Sequence, residues 1–266
     1  MKRFCVFFSI LFFLFFSRTF NQTVFAADKT SDELYQELLQ NYRRYQGLIE
    51  PFNTQRSRHR TYQSVATQAD FLNAAKALAS AEVEAMISYA SFVKTYLAQA
   101  TQILDYNENY SYVMLDDELV YLSSAKTKVS SLSSLSDTQS FFNDLSTHYA
   151  KISQFGYQVK SLVEIGSAKK TLENVKVETD KIESLLGEIN EEESKIYAAK
   201  EKFTSLKAEL SGAESSVAQA EKSYKNTKEG SNFASMSKKV RGFIDQSINQ
   251  FSSVISGYKN IVSSLK

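Results

Sequence analysis

The densest run of cations in the chain is "NTQRSRHRTYQ", where Arg56, Arg58, His59 and Arg60 crowd together. On a helix, Arg56 and Arg60 are four apart and share a face, Arg58 points away, and His59 sits between them. Guanidinium groups placed this way suit a carboxylate, a phosphate or an acidic polysaccharide. These four residues are therefore the candidate group for binding an anion. The competing reading is a polar turn exposed to water, with the arginine stems covering apolar neighbours.

The other constellations speak against catalysis. His59 and His148 are the only histidines. Asp144 lies one helical turn before His148, a pair that could in principle ligate a metal. A di-iron bundle site needs Glu-x-x-His on two helices, and the residues three before the histidines are Arg56 and Leu145. A surface ion pair is the simpler reading, and no metal or cofactor is expected. No G-x-S-x-G turn and no glycine-rich phosphate loop occur. The acidic runs "LDDEL" and "NEEES" lack the alternating oxygen ligands and glycine turn of a calcium loop. They read as solvated helix faces, and the expectation is a protein without an active site.

Tyrosine gives a second candidate. Tyr35, Tyr42 and Tyr45 share one stripe, where a buried seam more often uses Leu or Ile. Their rings suit a surface that is apolar on one side and wet on the other, as at a partner interface. A thin bundle level, with the ring packed and the hydroxyl reaching water, would use them equally well.

All of these residues must be positioned by helices. One proline and eight glycines in 266 residues leave few turns, against ordinary usage of about 5% and 7%. Thr30 with Glu33 is a capping-box pattern at a helix start. Tyr35, Leu38, Tyr42, Tyr45, Ile49 and Phe52 then recur at spacings of three and four. A second register, from Tyr62 and Val65 to Leu104, is offset from the first by one residue. The pattern predicts one helix over 31–104, kinked near Pro51.

The strongest periodicity lies later. Ile182, Ile189, Ile196, Phe203, Leu210, Val217 and Tyr224 are seven apart without a miss. Leu185, Ala199, Leu206, Ala213 and Ala220 fill the intervening position, and only Glu192 departs. Such a seam predicts coiled-coil-like packing, here as one helix over 167–228 that runs through Gly212. Shorter helices are expected over 112–129 and 137–165, with turns at 105–112, Gly156 and Gly166. A last helix over 233–265 follows a stop at Gly230. The fold class is all-α: an elongated antiparallel bundle of about five helices with coiled-coil-like seams, forming a single domain over 27–266.

The first residues carry an address. Lys2 and Arg3 precede an apolar run over 4–16, and "TVFAAD" offers small residues for a cut between Ala26 and Ala27. That order is a secretory signal peptide over 1–26. Thirteen helical residues span roughly 20 Å, short of the ~30 Å hydrocarbon core, and Arg18 closes the run. An uncleaved anchor is the alternative. Cleavage would remove Cys5, the only cysteine, and with it any disulfide or thiolate chemistry.

Cleavage also removes three of the 31 bases and no acid, so 28 bases face 30 acids and the net charge falls from +1 to −2. No global field then draws the chain to nucleic acid or anionic lipid, and no transmembrane segment is expected beyond the leader. Charge is nonetheless uneven, with net −4 over 105–166 and net +4 over 230–266. The reading is an exported, periplasmic, cell-surface or extracellular, non-enzymatic bundle that acts as a structural, scaffolding or binding module. Its partner would be a protein or a cell-envelope component, with self-association possible. A helical carrier of a small apolar or anionic ligand, with a cavity among the alanines of 66–100, is the alternative. A membrane-active protein ranks behind both.

Overall fold

The computed structural model describes residues 29–100, 109–188, 194–227 and 232–264. The expected leader over 1–26, residues 105–108 of the expected turn, Ile189 and Glu192 of the seam, and the stop at Gly230 lie outside the described residues, while 109–112, also expected as turn, are helical. Six α-helices make up the described chain: α1 (Ser31–Tyr62), α2 (Val65–Ala100), α3 (Asn109–Ser131), α4 (Leu135–Glu188), α5 (Ser194–Lys225) and α6 (Phe233–Ser264). No helix among the described residues is long and apolar enough to cross a membrane.

α1 begins at the expected capping box. The Thr30 hydroxyl accepts from the Glu33 amide at 3.2 Å, and Glu33 Oε2 accepts from the Thr30 amide at 2.8 Å. Those hydrogen bonds hold the Glu33 carboxyl below its ordinary pKa. Pro51 lies exposed inside α1 and does not end it. The single helix expected over 31–104 is instead two antiparallel helices, and the chain reverses at Gln63. Gln63 adopts left-handed backbone, φ 43° and ψ 33°, and its amide donates to the His59 carbonyl at 2.9 Å. Ser64 then caps α2: its hydroxyl accepts from the Thr67 amide at 3.2 Å, and the Thr67 hydroxyl accepts from the Ser64 amide at 3.1 Å. A threonine fills the place that Glu or Gln holds in the usual capping box.

Cross-helix pairs fix the topology. Asn41 donates to Ser88 at 2.7 Å and Arg44 pairs with Glu84, so α1 and α2 run antiparallel. Lys94 with Asp116 and Lys126 with Glu84 set α3 antiparallel to α2. The pairs His148–Glu118 and Tyr121–Asp144 set α4 antiparallel to α3. α4 is one helix of 54 residues, about 80 Å long, and neither Gly156 nor Gly166 breaks it. Gly156 serves contact instead, since a Cβ there would overlap the Tyr89 hydroxyl and lie 2.9 Å from the ring carbon that bears it.

The helix expected over 167–228 is likewise two elements. The second half of α4 carries the first part of the seam, and α5 returns along it. Lys169–Glu221, Lys176–Glu214 and Glu183–Lys207, at 2.8, 2.6 and 2.9 Å, form a ladder in which one number rises as the other falls. α6 runs antiparallel to α5, with Ser253 donating to Glu209 at 2.9 Å. It runs parallel to α4, with Arg241 donating to Glu164 at 2.8 Å and the Thr179 and Tyr258 hydroxyls 2.8 Å apart.

The molecule is therefore two bundles that share α4. The first core joins α1, α2, α3 and the N-terminal half of α4, around Val83, Met86, Val93, Leu97, Leu122, Leu145 and Ile152. A satellite cluster of Tyr42, Tyr45, Phe52, Ala75, Leu78 and Ala81 extends it toward the α1–α2 turn. The second joins the C-terminal half of α4, α5 and α6, around Phe203, Leu210, Val217, Val240, Phe251, Val254 and Ile261. Tyr224 packs against both cores. Leu185, expected in the seam, is 52% exposed, and Leu186 takes its place in the core.

Candidate functional site

The cation run falls at the free end of the first bundle. The last turns of α1, the first turns of α2 and the first turns of α4 meet there around a cleft of about 240 Å3. Each element brings its own contribution. α1 supplies Phe52, Arg56, His59 and Arg60; α2 supplies Phe71 and Ala75; α4 supplies Leu135, Thr138, Gln139 and Phe142. Three phenylalanines make the floor, with Phe52 5.4 Å from Phe71 and 6.3 Å from Phe142, edge to face in the second case.

His59 is held rather than free. Its ring stacks on Phe71 at 5.9 Å, and Nδ1 lies 3.3 Å from the Thr67 hydroxyl. That hydroxyl also accepts from the Ser64 amide, so the cap of α2 and the cleft share an atom. Arg56 and Arg60 make no side-chain hydrogen bond and no ion pair among the described residues. Arg58 is exposed on the other face, donates to Gln55 at 3.4 Å and does not line the cleft. Three of the four expected binding residues thus come together, and the one assigned to the opposite face is where helical spacing put it.

The local folding of α4 adds to the site. Ser134 caps that helix by accepting from the Asp137 amide, and Asp137 accepts from the Ser134 amide, each at 3.1 Å. The Ser133 hydroxyl donates to Asp137 as well, and these bonds hold the Asp137 carboxyl below its ordinary pKa. Its charge is engaged at the helix start and not with the arginines. The cleft therefore presents two unpaired guanidinium groups and a histidine over an aromatic floor. Such a lining can bind an anion that carries a planar or apolar body.

The other candidates fare differently. Tyr42 and Tyr45 are buried in the chain's own core with Ala75, Leu78 and Ala81 of α2, and Tyr35 is half-buried 5.7 Å from Phe92. The interface expected of this stripe is filled by α2. The Tyr42 hydroxyl accepts from Gln46 at 2.9 Å. His148 does not pair with Asp144. Its Nδ1 lies 2.6 Å from Glu118, a buried carboxylate of α3, while Asp144 accepts from the Tyr121 hydroxyl at 2.7 Å. Lys151 lies 3.6 Å from the other Glu118 oxygen. Among the described residues no three His, Cys, Asp or Glu side chains converge as metal ligands.

The structure adds a group that the sequence reading missed. Glu82, on α2, is 5% exposed, and burial pushes its carboxyl up to about 8. It lies near Tyr149, whose hydroxyl is raised by burial and then by the nearby Tyr157, Tyr42 and Glu82. The signal was present in "LASAEVEAMISYA": Leu78, Glu82, Met86 and Tyr89 share one helical stripe, and the acid sits among core positions. A second cleft, about 640 Å3, lies between the end of α5 and the start of α6, lined by amides and hydroxyls with Lys222, Lys239, Met236 and Phe243.

Compared with protein-family models, with curated proteins and with solved structures, the chain matches none.

Proposed function

We propose that the chain is an exported, non-enzymatic binding module that acts as a structural or scaffolding part at or outside the cell envelope. Its means of recognition is the cleft at the end of the first bundle, which takes an anionic group on a protein or envelope component. One observation carries this reading: Arg56 and Arg60 stand unpaired at an aromatic-floored cleft. Guanidinium groups left without a carboxylate partner beside apolar rings are poised for an anion from outside. The leader pattern over 1–26 supports export.

Calorimetric titration with phenyl phosphate and with benzoate tests the site. Both anions carry a ring that the Phe52, Phe71 and Phe142 floor can receive. Saturable binding that weakens roughly tenfold in Arg56→Gln with Arg60→Gln is expected, and Arg58→Gln should leave it unchanged. Equal binding by all three proteins would refute the site. N-terminal sequencing of protein recovered outside the cell checks the export half, with Ala27 as the expected first residue. The alternative of a carrier for a small anionic ligand draws on the same cleft. It differs in predicting that the bound molecule co-purifies with the chain.

A further inference from the structure

The cleft does not end the cationic surface; the tip beyond it continues the pattern. Gln63 and Ser64 make the reversal, and immediately either side of it stand Tyr62 and Val65, 69% and 85% exposed. Among the described residues of the first bundle Val65 is the most exposed large apolar side chain, and Tyr62 stands level with Val120 of α3, at 68%; only Tyr62 and Val65 flank the α1–α2 reversal. On α1 and α2 beside them, residues 53–71 carry three bases, Arg56, Arg58 and Arg60, against one acid, Asp70. A chain of formal charge +1 thus gathers three arginines at the α1–α2 reversal, with an exposed aromatic and an exposed aliphatic side chain beside them.

We propose that this tip docks on an anionic lipid surface. Val65 and the Tyr62 ring enter the headgroup–acyl boundary, Arg58 and Arg60 meet lipid phosphates, and Arg56 receives one headgroup phosphate in the cleft. The proposal rests on the anion-binding reading of that cleft and names the class of its ligand. A protruding point with an apolar apex and a cationic collar fits a fluid interface, where tyrosine settles at headgroup level and arginine stems lie along apolar surface with their charge in water. A folded acidic protein would need a matching hollow for Val65. Screening confines the attraction to about 8 Å at physiological salt, so the near-neutral charge of the whole chain does not oppose it. Docked this way, α1 and α2 stand on end, and the second bundle is held away from the surface.

Vesicle flotation of the full chain is the test. The vesicles are phosphatidylcholine alone, or an equal mixture of phosphatidylglycerol and phosphatidylcholine. Neutral vesicles report any binding by the apolar residues 4–16, which every variant shares. The expected result is extra binding to the anionic vesicles, reduced roughly tenfold by Arg56→Gln with Arg60→Gln and again by Tyr62→Ser with Val65→Ser. The arginine-dependent part should fall as salt is raised. The chain has no tryptophan, so Val65→Trp gives a single reporter whose emission should shift to the blue on anionic vesicles only. Anionic binding that needs the arginines and ignores both Tyr62 and Val65 overturns lipid docking while leaving the anion site standing. Loss of phenyl phosphate binding as well removes both. No preference for anionic vesicles, or a Val65→Trp spectrum that does not move, also sinks the proposal.

Discussion

The two bundles share a helix and little else. In the second, the heptad positions Ile182, Phe203, Leu210 and Val217 meet the stripe Val240, Ile244, Phe251 and Val254 in an apolar core, and Lys–Glu pairs close its flank. The first also has an apolar core, but two carboxylates, Glu82 and Glu118, are buried beside it with the Tyr89 hydroxyl, where the second core buries the Tyr258 hydroxyl against Thr179. It ends in a cleft floored by Phe52, Phe71 and Phe142, with Arg56 and Arg60 unpaired. The regular seam and the candidate cleft lie at opposite ends of α4. The bundle with the cleaner pattern reads as support, and the bundle that departs from pattern holds the candidate site.

Substituting glycine in each bundle should show the difference most strongly. A Cβ at Gly156 would run into the hydroxyl of Tyr89, a ring that is 7% exposed and packed in the first core. The ring has no room to yield, so Gly156→Ala should cost about 2–3 kcal/mol through overpacking, despite alanine's advantage of about 1 kcal/mol within a helix. In the second bundle, a Cβ at Gly212 would lie 2.6 Å from Nε2 of Gln250, the end of a side chain that can turn aside. Gly212→Ala should be neutral or gain about 0.5 kcal/mol. Urea unfolding followed by circular dichroism measures both, and hydrogen exchange should place the Gly156 loss in α2 and the first half of α4. Equal costs would mean that the Gly156–Tyr89 contact is no tighter than the Gly212–Gln250 one.

Next in size is the buried acid. In the unfolded chain Glu82 ionises near its ordinary value of 4.5, while in the folded chain burial holds it protonated up to about 8. Its contribution to stability is therefore complete below about pH 4.5 and is lost as pH rises toward 8. Glu82→Gln keeps the shape and removes the titration. Stability near pH 7 should rise by about 1–2 kcal/mol, with no gain at pH 4. A wild-type stability that is flat between those values would show that Glu82 reaches solvent. The second bundle has no buried counterpart among its described carboxylates; Glu164, at its junction with the first, is partly buried and paired with Arg241.

What the sequence made legible follows from what periodicity can say. The all-α class, the cap at Thr30, the last helix and the faces of Arg56, Arg58 and Arg60 are local facts, and all are found in the structure. The reversals are not local in the same way. Gln63 and Ser64 contain neither glycine nor proline, and the visible trace of the turn was the one-residue offset between two registers. The seven-residue seam through 182–224 is equally compatible with one rod and with a hairpin closed on itself, because both arms of a hairpin keep the same face inward. The aromatic floor was beyond reach, since Phe71 and Phe142 join Phe52 only once α2 and α4 are placed. The stripe of Tyr42 and Tyr45 left two readings open, a partner interface and a thin bundle level, and the structure packs both rings in the chain's own core. A polar ring tip is tolerated in a thin core when a neighbour such as Gln46 satisfies it.

The smallest expected effect tests the hairpin itself. Lys169, Lys176 and Glu183 recur at seven on α4, and their partners Glu221, Glu214 and Lys207 recur at seven on α5 in the opposite sense. A continuous helix over 167–228 would place Lys176 and Glu214 about 57 Å apart at 1.5 Å per residue. The hairpin brings them to 2.6 Å. Both side chains are about half exposed, at 46% and 51%, so each charge reversal, Lys176→Glu or Glu214→Lys, should cost only about 0.5–1 kcal/mol. The double reversal should return most of that loss at low salt, and the recovery should shrink as salt screens it. A double mutant no better than the sum of the singles would separate the two arms. It would favour the rod that the seam first suggests over the hairpin that makes the second bundle.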